Sequence, residues 1–433
     1  MRNKFLVLLS LLVVASVGHA GPKIERWQTA NGARVFYVNA PELPIVDLRM
    51  VFDAGSARDE SKPGLAGLTN SLLDEGTGKL NADQVAEQFE GVGAQYGGAS
   101  LRDMAVVSIR SLSDKPILDK ALDLFSKVVA SPTFPEQSFQ RNRKAMLVGL
   151  KVASQRPNSI ASKTFYKQVF NDHPYGIDGS GTEPSLKAMT RQDVIDFHKR
   201  YYVANNAVIA IVGAVSRSQA EELANRVSAG LAKGERAARL EKVERLAAAK
   251  VKRIKHKSQQ THILVGQPGM HRGDPDYMTL YVGNHILGGS GLVSRLSDTV
   301  REQRGLAYSV YSYFSPMRED GPFMMGMQTK NSQADDALKL LNSVLKEYLE
   351  KGPTADELKR SKQNITGGFA LRVDSNKKIT EYIAMIGFYD LPLDYLDTFN
   401  DRVEAVTLEK IKDAFKRRIN ADKLVTVMVG GDK

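Results

Sequence analysis

Two patterns near the start of the chain predict β-strands. Asn31-Gly32 lies between the apolar-rich segments 24–30 and 34–38, which is a hairpin signal. Further on, side chains alternate: Val46, Leu48, Met50 and Phe52 face one way, and Asp47, Arg49 and Val51 face the other. This alternation predicts a strand whose sheet carries helices packed on a single face.

The same order of helix and strand patterns occurs twice along the chain. Residues 189–213 match residues 406–430 without gaps at an offset of 217, and both copies predict a helix followed by a buried strand. A second block matches at an offset of 216: Ala121, Leu122, Leu124, Phe125, Val128 and Val129 against Ala337, Leu338, Leu340, Leu341, Val344 and Leu345. These spacings give each copy one apolar helix face.

The repeat predicts two homologous domains, at 22–230 and 251–433. Residues 231–250 are rich in Lys, Arg, Glu and Ala and contain no proline, so we predict a solvated, partly helical linker. Strands and long amphipathic helices are mixed without strict βαβ alternation. The predicted class is α+β, with a mixed, mostly antiparallel sheet and helices on one face in each half.

The first twenty residues resemble a secretory signal. Arg2 and Lys4 precede an apolar run from residue 5 to residue 17, and small residues follow at 18–20. The run is too short to span a bilayer, which needs about 20 residues. We therefore predict that residues 1–20 are removed on export and that the mature chain is soluble and periplasmic, with no membrane span.

Composition narrows the possible chemistry. The chain has no cysteine, which excludes disulfides and thiolate metal ligands. Its net charge of +11 is spread out or concentrated at 233–257 without interleaved aromatic residues, so we predict no nucleic-acid binding. The glycine run 288–291 lacks the lysine of a phosphate-binding loop.

Histidine spacing argues against a zinc site on one helix. The six histidines after the predicted signal are His173, His198, His256, His262, His271 and His285. No two are three or four residues apart, as a zinc-binding helix face requires. His262 and His285 fall in predicted core elements, where a structural role is expected.

Several motifs spread over most of the chain jointly resemble the pitrilysin-type zinc peptidases, in particular the processing-peptidase branch. They are Asp53-Ala54-Gly55-Ser56, Gly64-Leu65-Ala66, Glu75-Gly76-Thr77, His173-Pro174-Tyr175-Gly176, the segment 201–213, Asp274-Pro275-Asp276-Tyr277, and the segments 294–296 and 304–309. The resemblance implies subunits of about 400 residues with two domains.

The resemblance also implies that the zinc site is lost. Catalytic members carry the motif H-x-x-E-H after Gly-Leu-Ala, and its three chemical positions fall here at Gly67, Asn70 and Ser71. The family's third zinc ligand, a glutamate, falls near Val148. Glycine has no ligand atom, and neutral amide and hydroxyl oxygens bind zinc poorly. No metal and no other cofactor is expected in this chain, whereas zinc is expected in a partner.

A second functional pair of the family is kept. Arg301 and Tyr308 match the arginine and tyrosine with which catalytic systems of this family hold the substrate backbone and stabilise the tetrahedral intermediate. Without the resemblance, Arg301 reads as a cation near a helix C-terminus and Tyr308 as a strand aromatic.

The predicted function is a non-catalytic subunit of a heterodimeric periplasmic zinc endopeptidase. The partner would be a homologous zinc-bearing subunit, with an extended peptide substrate added to that partner's sheet edge. The alternative is a catalytically inactive peptide-binding or scaffold protein of the same fold. A chain that is itself a metal-dependent peptidase is disfavoured by the missing ligands.

Overall fold

The computed structural model describes residues 23–431, so the predicted signal at 1–20 lies outside the described residues. The first half contains β1 (Glu25–Gln28), β2 (Arg34–Asn39), β3 (Ile45–Phe52), α1 (Leu65–Ser71), β4 (Gly76–Thr77), β5 (Leu80–Asn81), α2 (Ala82–Gly91), β6 (Gln95–Ser100), β7 (Ala105–Leu112), α3 (Lys115–Ala130), α4 (Glu136–Ala153), α5 (Pro157–Phe170), α6 (Glu183–Ala188), α7 (Arg191–Tyr201), β8 (Ala207–Gly213) and α8 (Arg217–Ser228).

The second half repeats this plan. It contains β9 (Lys250–Ile254), β10 (Gln260–Met270), α9 (Tyr277–Asn284), β11 (Val310–Phe314), β12 (Gly321–Lys330), α10 (Ala334–Lys351), α11 (Ala355–Gly367), α12 (Asn376–Phe388), α13 (Phe399–Glu404), α14 (Leu408–Arg418) and β13 (Val425–Val429). Two π-helical turns, His285–Gly289 and Ser297–Gln303, lie between α9 and β11.

The two sheets have the same strand order except for β1, an additional edge strand of the first sheet. The first runs β1-β2-β8-β3-β7-β6, and the second runs β9-β13-β10-β12-β11 when read from the equivalent edge. In each sheet one pair is parallel, β2 with β8 and β9 with β13, while the other pairs are antiparallel. The helices α7 and α14 begin 217 residues apart, at 191 and 408, as the repeat predicts. The predicted α+β class and the hairpin of β1 and β2 are confirmed.

Each sheet packs helices of its own half on one face, and the opposite face is covered by a helix from the other half. Helix α12 lies on the first sheet, where Ile383 and Ile386 pack against Val208 and Val212. Helix α5 lies on the second sheet, where Phe165 packs with Val425 and Val427. This reciprocal exchange is not evident from strand alternation. It explains why Val51, on the non-core side of the alternation, is only 1% exposed.

The segment between the two halves differs from the prediction. Residues 232–246 contain neither helix nor strand, so the predicted partial helix is wrong. Leu246 is buried, and Leu240 and Val243 pack against the cluster around α5. Because these apolar side chains are held by tertiary contacts, helix-favouring composition does not decide the local conformation.

A buried polar cluster joins the two halves. The Tyr175 hydroxyl donates to Asp103 Oδ1 at 2.6 Å, and Arg318 N–H donates to Asp103 Oδ2 at 2.7 Å. The Tyr389 hydroxyl donates to the same Oδ2 at 3.0 Å. Burial raises the pKa of the Asp103 carboxyl, although these three donors oppose that effect. The His-Pro-Tyr-Gly motif of residues 173–176 supplies a cross-half contact through Tyr175, whose hydroxyl oxygen accepts from Glu319 N–H at 3.0 Å.

Candidate functional site

Helix α1 carries three of the four positions predicted to have lost zinc chemistry. It follows Gly64, whose φ of +97° lies in the left-handed region that favours glycine. Asp59 accepts from Gly64 N–H and Ala66 N–H at 2.7 Å each, which satisfies donors at the helix start. Burial raises the pKa of the Asp59 carboxyl to about 7, although both backbone donors lower it.

The three positions on α1 differ in their surroundings. Asn70 is 5% exposed, and its amide donates to the Val106 carbonyl at 3.2 Å and to the Tyr202 hydroxyl oxygen at 3.3 Å. Ser71 is exposed, and its hydroxyl donates back to Leu68 O at 2.9 Å. Gly67 offers no side-chain atom. The Asn70 amide is therefore committed to contacts within the fold.

The fourth position lies on α4. Val148 is 56% exposed to solvent. The α4 side chain that comes nearest to Gly67 is Met146, because a methyl group added at Gly67 would lie 3.9 Å from Met146 Cε. That same methyl group would lie 3.5 Å from the Gly179 carbonyl oxygen, which is ordinary van der Waals contact. Space for a side chain remains at Gly67.

An open cleft of about 1250 Å³ lies beside this region, between α4, α5 and the segment 176–187. Met146 and Leu150 line it from α4, and Tyr166 lines it from α5. The Arg102 guanidinium stacks over the Tyr166 ring at 3.8 Å and donates to the carbonyls of Tyr175 and Ile177 at 2.9 and 3.0 Å. Arg102 therefore joins α5 to the loop that follows it along the wall of the cleft.

Strand β6 forms the edge of the first sheet that is nearest to α1. It pairs with β7 and stands last in the strand order. Gly98 of this strand faces the α1 side chain at position 70, since a methyl group added at Gly98 would lie 3.0 Å from Asn70 Oδ1. An edge strand of this kind offers backbone donors and acceptors to an extended peptide.

Arg301 and Tyr308 lie together in the second half. Arg301 belongs to the π-helical turn Ser297–Gln303, and Tyr308 comes two residues before β11. The Arg301 guanidinium carbon is 5.1 Å from the centre of the Tyr308 ring, which is a cation–π contact. Arg301 Nε also lies 3.3 Å from Glu302 Oε1. The structure thus brings together the two residues that the sequence comparison paired.

Buried neighbours fix the backbone on both sides of this pair. Leu296 and Val300 are fully buried ahead of and beside Arg301, and Ala307 and Val310 are 7% and 6% exposed around Tyr308. By contrast, Tyr308 is 84% exposed. The tyrosine ring therefore projects from a well-packed backbone, and its hydroxyl is available to a group outside this chain.

An arginine and a tyrosine side chain are chemically suited to binding and polarising a carbonyl, but neither activates water. Arginine supplies a fork of N–H donors and tyrosine supplies one neutral donor, both suited to a developing oxyanion. Within residues 23–431, the one cluster of His, Asp or Glu side chains that could hold a metal is His271, Asp274 and Asp320. It includes none of the predicted zinc positions.

Two of the other histidines, His285 and His198, have contacts that agree with structural roles. His285 Nε2 lies 3.1 Å from Asn364 Oδ1, and the Ser361 hydroxyl lies 2.9 Å from His285 Nδ1, so both ring nitrogens are occupied by neighbours. His198 Nε2 lies 2.9 Å from the Val129 carbonyl. Burial lowers the pKa of His198 to about 4, although this hydrogen bond raises it.

Residues 23–431 form two halves of like fold, and none of the helices in this range carries a cluster of metal-ligating side chains. Family profiles match over residues 34–183, for the family described as insulinase (peptidase family M16), and over residues 188–365, for the peptidase M16 inactive domain. A solved structure described as a peptidase M16 inactive domain from Pseudomonas fluorescens is 42% identical, covers 94% of this chain and 97% of its own, and has a TM-score of 0.91.

Two curated relatives cover nearly the same length. The Bacillus subtilis protein named zinc protease YmxG is 26% identical over 404 residues, which is 92% of this chain and 96% of the relative. The Helicobacter pylori protein named non-peptidase homolog YmxG is 25% identical over 434 residues, which is 98% of each chain. The chain belongs to peptidase family M16, which confirms the resemblance to pitrilysin-type zinc peptidases.

Proposed function

We propose that this chain is the non-catalytic subunit of a heterodimeric periplasmic zinc endopeptidase. It would bind extended peptide together with a zinc-bearing M16 subunit and would stabilise the tetrahedral intermediate formed in that partner. Arg301 and Tyr308 would act on the substrate, whereas Gly67, Asn70, Ser71 and Val148 would mark the lost zinc site.

The main observation in support of the proposal is the exposure of Tyr308. At 84% exposed, this large ring contributes little apolar burial to the fold, yet it sits on a buried backbone beside Arg301. An aromatic side chain held in this way is suited to contact with another chain or a peptide. The hydroxyl can donate one hydrogen bond to a peptide carbonyl while Arg301 supplies positive charge.

The surroundings of α1 support the part of the proposal that assigns the zinc to the partner subunit. A zinc site needs three protein ligands and an activated water. Here Asn70 is engaged with Val106 and Tyr202, and the Ser71 hydroxyl is engaged with its own helix. The zinc would therefore come from the partner. No helix of the described residues is long and apolar enough to cross a membrane. Export to the periplasm rests on the signal-like residues 1–20.

Reconstitution tests this proposal. The purified chain should cleave no peptide, and mixing it with an H-x-x-E-H subunit from the same organism should give a 1:1 complex that cleaves an unfolded peptide. Chelating the zinc should abolish that cleavage, while this chain should remain folded. Full activity of the zinc subunit alone, unchanged by addition of this chain, would contradict the proposal.

The second candidate is a catalytically inactive peptide-binding or scaffold protein. Its support is that Arg301 already has partners inside the chain, the Tyr308 ring and Glu302, and that a relative is named a non-peptidase homolog. Co-purification from the native periplasm separates the two candidates. Recovery of a zinc-bearing M16 subunit favours the peptidase, and recovery of a larger assembly without one favours the scaffold.

A further inference from the structure

We propose that His271, Asp274 and Asp320 form a binding site for a divalent transition-metal ion, separate from the lost zinc position on α1. The three residues lie in the second half, where the turn after β10 meets the turn before β12. Residue 271 forms an isolated parallel bridge with residue 317, and Arg272 N–H donates to Met317 O at 2.8 Å. These backbone contacts bring the two turns together.

The ligand atoms face one another. His271 Nδ1 lies 2.9 Å from Asp320 Oδ1 and 3.7 Å from Asp274 Oδ2. The three ligand atoms all lie within 4.8 Å of one another. Two ligands of one tetrahedral zinc ion are about 3.4 Å apart when each bond is about 2.1 Å long. Small side-chain rotations would therefore bring all three atoms into one coordination sphere.

Asp274 contributes a buried, unpaired carboxylate oxygen to the cluster. Asp274 is 4% exposed, and its Oδ1 accepts from Asp276 N–H at 2.8 Å and from Arg418 Nη2 at 2.7 Å. Its Oδ2 is shielded from water and has no hydrogen-bond partner. A buried carboxylate oxygen without a partner is costly. It points toward His271 and is the side of the carboxylate that a metal would occupy.

The charges and protons of the cluster also favour a divalent ion. Two carboxylate oxygens face a single ring nitrogen, so one proton on His271 Nδ1 satisfies Asp320 and leaves Asp274 Oδ2 unmatched. Among the described residues, Asp320 has no Lys or Arg within ion-pair distance, and its recorded ion pair is with His271. A divalent cation would replace that proton and bind the ring nitrogen and both carboxylate oxygens at once.

The ligand types indicate the class of ion. One imidazole with two carboxylates suits Zn²⁺ or another first-row transition metal better than Mg²⁺ or Ca²⁺, which favour oxygen ligands alone. The His271 and Asp320 side chains are 43% and 28% exposed, which leaves an entry path and room for a bound water. The bound ion would fasten the two turns next to Arg318, whose backbone N–H reaches Asp103 across the halves.

Zinc titration of the purified chain tests this site. After EDTA treatment and removal of the chelator, calorimetry with Zn²⁺ alone should show one ion per chain and a rise in the thermal midpoint. Asp320→Asn, which keeps size and shape, and His271→Ala should each weaken binding at least tenfold and remove the rise in midpoint. The matched control His262→Ala lies on β10, outside the cluster, and should bind zinc like the parent.

Three results would overturn the inference: no zinc binding by the parent chain, equal affinity in Asp320→Asn and the parent, or loss of binding in His262→Ala. Circular dichroism of the metal-free variants separates a lost site from a lost fold. The inference is independent of the peptidase proposal, because the readouts are stoichiometry and thermal midpoint in this chain alone.

Discussion

The two halves share a strand order but differ in how far the side chains of their candidate functional regions are exposed to solvent. In the first half, the α1 region is closed: Asn70 is 5% exposed and its amide is bonded to the sheet and to Tyr202. In the second half, the segment before β11 is open, with Tyr308 84% and Val293 82% exposed. Side chains in the closed region maintain the fold, whereas side chains in the open region can be changed with little effect on it.

This difference indicates how a duplicated fold can separate structure from function. The α1 region keeps the helix but uses its polar groups inside the chain. The Arg301–Tyr308 region keeps a well-packed backbone and leaves the Tyr308 ring exposed. Substitutions in the first region should therefore alter stability, and substitutions in the second should alter what the chain does with a partner.

The largest effect on stability should come from a substitution in α12, the second-half helix that packs on the first sheet. A methyl group at Gly387 of α12 would lie 2.4 Å from the Phe36 ring on the first sheet, so Gly387→Ala should cost about 3 kcal/mol of unfolding free energy. The matched control is Gly149→Ala on α4, where an added methyl meets nothing within 4 Å; it should stabilise the chain by about 0.5 kcal/mol. Urea unfolding of both variants checks this, and equal stabilities would refute the close packing.

The next effect is a loss of stability in acid that depends on His198. Its pKa is about 4 in the folded chain, against 6.5 as the ordinary value, because burial disfavours the charged ring. The unfolded chain therefore binds more protons than the folded chain between these pH values, so this contribution is complete above pH 6.5 and is lost as pH falls toward 4. From pH 7 to pH 5 the loss should be about 2 kcal/mol.

His198→Gln tests this assignment, because glutamine can still donate to the Val129 carbonyl but does not titrate. On going from pH 7 to pH 5, the parent should lose about 2 kcal/mol of unfolding free energy relative to the variant, as measured by urea unfolding at both pH values. Asp59 contributes in the opposite sense, since its pKa is raised to about 7 and its effect stabilises the folded chain more at lower pH. If the stability of variant and parent depended on pH in the same way, His198 would not contribute to the pH dependence.

Asn70→Ala should have a smaller effect, about 1.5 kcal/mol of destabilisation. The substitution leaves the buried Val106 carbonyl and Tyr202 hydroxyl without the amide donor. Ser71→Ala, on the same helix but exposed, is the matched control and should change stability by less than about 0.5 kcal/mol. If both variants unfold at the same urea concentration, the closed description of the α1 region is wrong.

The smallest effect is expected at Gly67. An added methyl would make only ordinary contacts with Met146 and the Gly179 carbonyl, so Gly67→Ala should stabilise the chain by about 0.5–1 kcal/mol through helix propensity. Thermal unfolding followed by circular dichroism measures this. A decrease in the midpoint would mean that the helix requires glycine for another reason.

Much of the architecture could be predicted from the sequence, because the duplication implies two halves of like fold, and α7 and α14 recur at an offset of 217 residues. The exchange of α5 and α12 could not be predicted, since apolar spacing shows that a helix buries a face but not which sheet it meets. The prediction of a partly helical linker failed for a related reason, because Leu246 and its neighbours are held by tertiary contacts.

At the candidate site, the pairing of Arg301 and Tyr308 followed from the resemblance, and the structure places them 5.1 Å apart as a cation–π contact. The cluster of His271, Asp274 and Asp320 was not predicted. His271 and Asp274 are three residues apart in a turn, but Asp320 is 46 residues beyond Asp274 and joins them only because the turns meet. Spacing along the chain carries no signal for such a contact.

The most direct test of the central claim is the turnover of Tyr308→Phe in complex with a zinc-bearing M16 subunit. Tyr311→Phe on β11, a nearby half-exposed tyrosine, is the matched control. We predict that Tyr308→Phe lowers kcat about 100-fold with the complex intact by gel filtration, because one oxyanion donor is lost, while Tyr311→Phe keeps kcat near that of the parent. Equal turnover of Tyr308→Phe and the parent complex would contradict the assigned role.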